Sequence, residues 1–494
     1  MHDPALEPVL ALHRAGRLAE AEAGYRDCLA TGNEAAAFPL GVVLLQQGRH
    51  AQAAAVLEPL AATRPEDAAV QTNLSIALRL GGRLEDALAA ARHAVAAAPT
   101  DVGALNALGL AALATGQAEA GLQAFEAALR HAPGTAALLL HRGKCLLQLG
   151  RVEAAIETCI QAANAAPGLA EAWRTLASAQ AVGGQREAAL ESSRRALALA
   201  PADATVQLEF AAALLRAGHA AAAVKRLEAL HESAGDNART LAWLGRAHLR
   251  AGDRTAARAA FDRAHALDPH DPMVAHFRAA LVGELPQGVE RAYVRDLFDD
   301  FAGRFETTLV GELGYTAPSL LASLLDEDGL PLDATVLDLG CGTGLMGAAL
   351  AGAQRRIDGV DLSPRMLERA RAKGVYRSLH EAELIEFLGA SGDTWDAIVA
   401  ADVLNYMADL EPALAAAARR LAAGGRLAFS VECSATQATE LVPETGRYRH
   451  VVEQLESVLD TLGFMIIRRE PSVLRLESGA PVHGALLLAR LPPA

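Results

Sequence analysis

The chain has 494 residues, 52% of them apolar, with 45 basic and 59 acidic side chains for a formal net charge of −14. That length suits two or three packed domains, and the composition excludes a disordered chain. Residues 290–494 carry 19 basic and 30 acidic groups, which argues against a bare duplex as partner, because displacing counterions from phosphates takes Lys and Arg.

The N-terminus, Met1-His2-Asp3-Pro4, lacks a basic stretch followed by an apolar core, so no signal peptide is expected. No uncharged apolar run reaches about 18 residues, and no membrane span is expected. Cys28, Cys145, Cys159, Cys341 and Cys433 are scattered without a C-x-x-C, so neither a disulfide framework nor a metal site is indicated. The expected compartment is the cytoplasm.

The first half is a repeat. Gly48, Gly82, Gly116, Gly150, Gly184, Gly218 and Gly252 recur every 34 residues, with Gly16 leading by 32. Pro65, Pro99, Pro133, Pro167, Pro201 and Pro269 form a second ladder in the same register, with Gly235 filling its gap. Ala53, Ala87, Ala155, Ala189, Ala223 and Ala257 form a third, broken by Gly121. Each Gly falls where a turn needs positive φ, and each Pro where a second helix must stop. The Ala ladder marks close helix approach. With Trp173, Leu176 and Ala189 also in place, these residues resemble the tetratricopeptide repeat, in about eight units over 4–272. The resemblance implies an all-α superhelix whose groove docks a protein or peptide; self-association or rigid spacing are the alternatives. No asparagine or basic residue recurs in register along the first helices, so the repeats themselves name no ligand.

The ladder ends near Pro272, and the expected domains are repeats over 1–282, a linker over 283–289 and a second domain over 290–494. Helical segments near 290–305 and 316–327 lead into candidate strands at 334–340, 356–362, 376–381, 396–402, 426–432, 464–469 and 484–490. Helices are predicted between them at 345–352, 364–373, 410–422 and 449–462. This alternation predicts a mostly parallel sheet with helices on both faces. In the first helical segment Tyr293, Phe298, Phe301 and Phe305 recur at roughly helical spacing, either as a lid or as core.

The run Val336-Leu337-Asp338-Leu339-Gly340-Cys341-Gly342-Thr343-Gly344 reads as a buried strand feeding a glycine turn and a helix. An NAD fingerprint wants its third glycine where Leu345 stands, so that fingerprint fails. Strand two ends in Val360-Asp361-Leu362-Ser363, where a carboxylate can accept both hydroxyls of a ribose. Together these motifs resemble the class I S-adenosylmethionine-dependent methyltransferases, a Rossmann-like seven-stranded α/β fold. With the repeats, nearly the whole chain resembles a bacterial group of predicted methyltransferases carrying N-terminal tetratricopeptide repeats. Its later markers here are 297–302, 314–318, 429–432 and 446–450. Reaction type is implied, and no substrate.

The resemblance assigns Gly340, Gly342 and Gly344, with Cys341 in the same loop, to the methionine moiety of S-adenosylmethionine, and Asp338 as the acid of the first motif. Asp361 is assigned to the ribose, with Leu362 and Met366 packing nearby, and Glu383 beside Leu384 to the adenine amino group. Asp402 ends strand four and should face the crevice. The prolines that amino methyltransferases of DNA bases carry after this acid are absent from Val403-Leu404-Asn405-Tyr406, which counts against base methylation.

A general base is needed only if the acceptor arrives protonated. His450 is the candidate base, and Glu432 should point into the same crevice. Arg447 and Arg475 would clamp an acidic acceptor, because guanidinium matches a carboxylate fork. Asn405, Tyr315, Tyr406 and Tyr448 would wall the pocket. Competing readings are a cofactor sensor without catalysis, a small-molecule methyltransferase whose repeats mediate assembly, and an NAD-type oxidoreductase.

Overall fold

The structure is a computed structural model that describes residues 6–283, 290–302, 305–306, 314–351, 354–477 and 480–493. It packs as two compact units, Met1–Gly183 with Glu191–Ala200, and Gly184–Leu190 with Pro201–Ala494. This division by packing falls inside the repeat ladder. The expected linker lies, apart from Gly283, outside the described residues.

The first half is helical throughout. Among the described residues eight successive helix pairs run from Glu7–Arg14 with Leu18–Ala30 to Ala238–Arg250 with Arg254–Leu267, and a single helix, Pro272–Val282, follows. The eight ladder glycines turn the chain within each pair at φ between +69° and +84°. Asp67, Asp101, Asp203 and Asp271, each two residues after a ladder proline, cap the next helix by accepting from its first backbone N–H groups. Inside the pairs a small residue faces a bulky one sixteen positions later. A Cβ added at Gly41, Gly109 or Gly245 would stand 2.6–2.7 Å from the side chain of Leu57, Phe125 or Phe261. That spacing lets the helices of a pair close around a large side chain.

The second half carries strands β1 (Thr335–Leu339), β2 (Arg356–Asp361), β3 (Ser378–Glu381), β4 (Trp395–Ala400), β5 (Leu421–Glu432), β6 (Glu440–Val442), β7 (Arg447–Arg449), β8 (Met465–Glu477) and β9 (Ala480–Arg490). Seven form one sheet in the order β3-β2-β1-β4-β5-β9-β8, while β6 and β7 pair as a separate hairpin. The strands from β3 to β5 are parallel, and β9 is antiparallel to both neighbours. Side chains alternate between two cores. Leu337, Leu339, Ile398, Phe429 and Val431 pack on one face with helices Glu411–Ala418 and Val452–Thr461. Val336, Ile357, Val399, Ala428 and Leu488 pack on the other with helix Ala317–Glu327. Burial on both faces explains why these strands read as nearly continuous apolar runs.

Several elements differ from the sequence expectation. β8 and β9 extend well past 464–469 and 484–490, because bulges near Ile466–Arg468 and Val473–Arg475 interrupt the strict alternation that would have marked them. Helix Leu384–Ala390, capped by Glu383, lies between β3 and β4, where the strand and helix pattern places no helix. The predicted helix 410–422 stops at Ala418, and Leu421 already begins β5. No helix among the described residues is long and apolar enough to cross a membrane.

Candidate active site

The chain passes from β1 outward through β2 to β3, then crosses to β4 on the other side of β1. The carboxyl ends of β1 and β4 therefore flank the point where strand order reverses, the place where open α/β sheets take ligands. The loops after these strands meet tightly. A Cβ on Gly340 would lie 2.4 Å from Val403, so only glycine fits there. Gly340, Gly342 and Gly344 all have positive φ, and Gly344 opens helix Leu345–Leu350.

Asp361 joins this loop to the next strand. Its Oδ2 accepts from Gly342 N at 2.8 Å and its Oδ1 from Ser363 N at 2.8 Å. Burial raises its pKa against the pull of these backbone donors. A carboxylate offers about four acceptor positions, so two lone pairs are left to receive hydroxyls. Beside it the Thr343 hydroxyl is buried without a hydrogen-bond partner. Ser363 caps helix Pro364–Lys373 through Met366 N at 3.1 Å and donates to Asp299 of helix Glu290–Phe301 at 2.5 Å. A carboxylate with free lone pairs, an orphaned hydroxyl and a Cβ-free backbone fit a ligand bearing a ribose diol and a positive charge.

Asp338 is fully engaged below the loop. Tyr376 OH donates to its Oδ2 at 2.7 Å and accepts from Gly347 N at 3.2 Å. Burial pushes the Asp338 carboxyl up to about 7, opposed by the Tyr376 hydrogen bond. Tyr376 and Gly347 were not singled out in the sequence. Tyr376 lies 38 residues from its partner, and only the β1–β2–β3 crossover brings them together. Cys341 and Met366 are buried nearby, Leu362 is half-buried, and Leu384 packs against the apolar core. Glu383 accepts from Glu386 N at 2.9 Å and faces Arg291 at 3.5 Å.

The other candidates converge beside the end of β4. Asp402 has φ +58°, the only positive value at a non-glycine among the described residues. Its N–H donates to Ser430 Oγ at 2.8 Å, and its carboxylate takes Arg475 Nη1 at 2.8 and 2.9 Å together with Asn405 Nδ2. Arg475 Nη2 also bonds Glu432. Arg447 Nη1 donates to Glu432 Oε1 at 3.2 Å and Arg447 Nη2 to Glu477 Oε1 at 3.4 Å. Arg475 and Glu432 are each only 2% exposed at the side chain and Arg447 is 15% exposed. Burial raises the carboxyls, Asp402 to about 6 and Glu432 to about 7, with Arg447 pulling both down. Burial would lower Arg447, but Tyr406, Glu477, Glu432 and Asp402 hold it above its ordinary value. Glu477 was missed; it stands two residues after Arg475, on the same face of β8, and strand alternation is the signal that points to it.

Tyr406 lies in the turn Leu404–Tyr406, with Phe298 edge-on at 5.1 Å. Burial raises its pKa to about 12 and raises that of Tyr315 as well. Helix Glu290–Phe301 thus serves two ends: Tyr293 is core with Phe261 and Phe277, whereas Phe298 covers Tyr406. The Phe301 side chain lies outside the described residues. Tyr448, the middle residue of β7, is wholly buried with Leu441 and Ala280. His450 is buried, its Nε2 3.3 Å from Leu404 O, and burial lowers its pKa to about 4. Its backbone N–H donates to Glu432 O at 2.8 Å.

Comparison with known proteins bears on this geometry. Residues 337–427 match the family model of a methyltransferase domain, and residues 38–102, 106–170 and 214–281 match tetratricopeptide-repeat models. The human methyltransferase-like protein 27 is 40% identical over 95 residues, 18% of this chain and 39% of that protein. The ubiquinone biosynthesis O-methyltransferase of Aromatoleum aromaticum is 31% identical over 99 residues, 19% of this chain and 42% of that protein. The chain thus spans about two fifths of the length of these relatives. The magnesium protoporphyrin IX methyltransferase from Synechocystis PCC 6803, solved with bound SAH, aligns at TM-score 0.34 and 21% identity over 41% of this chain and 99% of its own.

Proposed function

We propose that this chain, tetratricopeptide repeats joined to a methyltransferase domain, is an enzyme that transfers a methyl group from S-adenosylmethionine to an acceptor admitted beside Tyr406. The observation that carries the reading is Asp361, whose oxygens tie Gly342 N and Ser363 N at the reversal of the sheet and keep lone pairs for a ribose diol. The cofactor, when bound, supplies a methyl carbon activated by a neutral leaving group.

The protein's part is placement. Gly340, Gly342 and Gly344 let the backbone approach closely, while Asp361 holds the sugar and orients the donor. Asp338 acts through Tyr376, which locks the start of helix Leu345–Leu350, and Glu383 caps helix Leu384–Ala390 and pairs with Arg291. Tyr315, Tyr406 and Phe298 exclude water from the acceptor side.

Within the charged cluster Arg475 is spent on Asp402 and Glu432. Arg447 is the more exposed guanidinium, and its bonds to Glu432 and Glu477 are long enough to yield to an acidic group on the acceptor. Glu432 stands nearest to neutral titration and takes the proton if the acceptor brings one. His450, low in pKa and turned to Leu404 O, positions the end of β5 and takes no proton near neutral pH. Repeats over 1–282 select or dock the substrate, with a protein or peptide as ligand and no nucleic acid. A cytoplasmic setting is supported by five cysteines that are all free thiols.

The test is incubation of the full chain with methyl-labelled S-adenosylmethionine and size-fractionated lysate. Label on one protein or metabolite fraction, lost in Asp361→Ala, supports the enzyme. Cofactor binding with no label in any fraction favours a sensor and overturns the proposal.

A further inference from the structure

The helix that follows the last repeat pair reaches the hairpin beside the acceptor side of the site. His276, in helix Pro272–Val282, is 1% exposed. Its Nε2 lies 2.9 Å from Gly446 O, the turn residue of the β6–β7 hairpin. A carbonyl only accepts, so the imidazole proton sits on Nε2, and Nδ1 is buried with no partner. The ring stacks on Tyr293 at 4.1 Å and meets Phe277 and Tyr448 edge-on at 5.8 and 6.4 Å.

Gly446 has φ +69°, and a Cβ there would stand 2.7 Å from Tyr293 OH and 3.3 Å from His276 Nε2. The turn is therefore pressed directly onto the histidine and tyrosine. An exposed pair, Arg254 Nε to Glu444 Oε1 at 2.9 Å, flanks it. The residue after Gly446 is Arg447, whose guanidinium spans Glu432 and Glu477.

We infer that His276 is a positioning residue: through Gly446 O it fixes the hairpin that holds Arg447 at the acceptor side, so the helix closing the repeat array is part of the site's wall. Its bearing on catalysis rests on the methyltransferase reading above, whereas the seat of the hairpin does not. A histidine is suited to the task because its ring stacks like an aromatic and still donates a hydrogen bond to a buried carbonyl. Phe in its place keeps the stack and orphans that carbonyl, while Gln keeps a donor at nearly the same reach.

The experiment compares wild type, His276→Phe and His276→Gln as full chains. It follows amide hydrogen exchange over 440–450 and modification of Arg447 by phenylglyoxal, with S-adenosylhomocysteine affinity measured beside them. In His276→Phe, exchange over 444–449 and labelling of Arg447 should rise by roughly five- to tenfold, as the loss of one buried hydrogen bond gives. His276→Gln should restore most of the protection, and cofactor affinity should stay within about twofold of wild type in both variants. Unchanged exchange in His276→Phe overturns the inference. So does loosening that spreads equally through β1 and β4, which marks a general structural role. Failure of wild type to bind S-adenosylhomocysteine overturns the methyltransferase reading alone, since the hairpin's exchange reports separately.

Discussion

Replacing Arg475 with Met tests whether the buried charge cluster is held by its guanidinium. Arg475 is 2% exposed and makes bonds of 2.8 and 2.9 Å to Asp402, plus a contact to Glu432. Met keeps most of the stem and removes the charge, leaving two buried carboxyl groups with Arg447 and Asn405 as their remaining support. Breaking a buried pair from one side costs about 3–5 kcal/mol. Asp402 adds to the burden, because its φ of +58° is a left-handed conformation worth about 1–2 kcal/mol that these bonds help to hold.

The loss should depend on pH in a fixed direction. Both carboxyls already sit above their ordinary values, at about 6 and about 7. A carboxyl whose folded pKa exceeds its unfolded one costs stability as pH rises from the unfolded value to the folded one; the penalty is constant above it and fades as pH falls back through that window. Without Arg475 both values climb further. The deficit of Arg475→Met should therefore be greatest at pH 8 and shrink toward pH 5, as the carboxyls take up protons.

Urea unfolding reports it through Trp395, which is buried and donates to Asp358 Oδ2 at 2.9 Å, in a background carrying Trp173→Phe and Trp243→Phe. A deficit below about 1 kcal/mol, or one equal at pH 8 and pH 5, refutes the reasoning.

Tyr376→Phe removes the hydroxyl that serves both Asp338 and Gly347, so it should cost about 2–4 kcal/mol from two unsatisfied buried groups, read by the same Trp395 unfolding. It should also raise the Asp338 pKa further, so the deficit narrows below pH 7. In the repeats, Gly109→Ala sets a methyl 2.6 Å from the Phe125 ring and should destabilise that pair by about 1–3 kcal/mol. Faster hydrogen exchange confined to 102–131 is the expected readout; no change there means the sixteen-residue pairing carries no packing weight.

Local patterns made much of this chain legible. The glycine ladder repeats because every pair needs the same positive-φ turn, and the loop at Gly340 shows because its strand, turn and helix are contiguous. What stayed hidden depends on contacts between distant residues. Asp338 meets Tyr376 and Glu432 meets Arg475 only after crossovers have set the strand order, and no periodicity encodes them. Arg475 looked like an acceptor clamp; side-chain type alone does not reveal that Asp402 and Glu432 face it. The hairpin escaped notice because its strands are three residues each, too short for an alternation to register. His276 reads as one more residue of an amphipathic helix, 170 positions from the carbonyl it holds.

Calorimetry of the full chain with S-adenosylhomocysteine reaches the central claim most directly. Saturable heat at one site per chain is expected, with about a hundredfold weaker binding in Asp361→Ala, since two hydrogen bonds to a charged acceptor are worth about 3 kcal/mol together. Absence of heat with the wild-type chain, or an Asp361→Ala variant that binds as tightly, contradicts it.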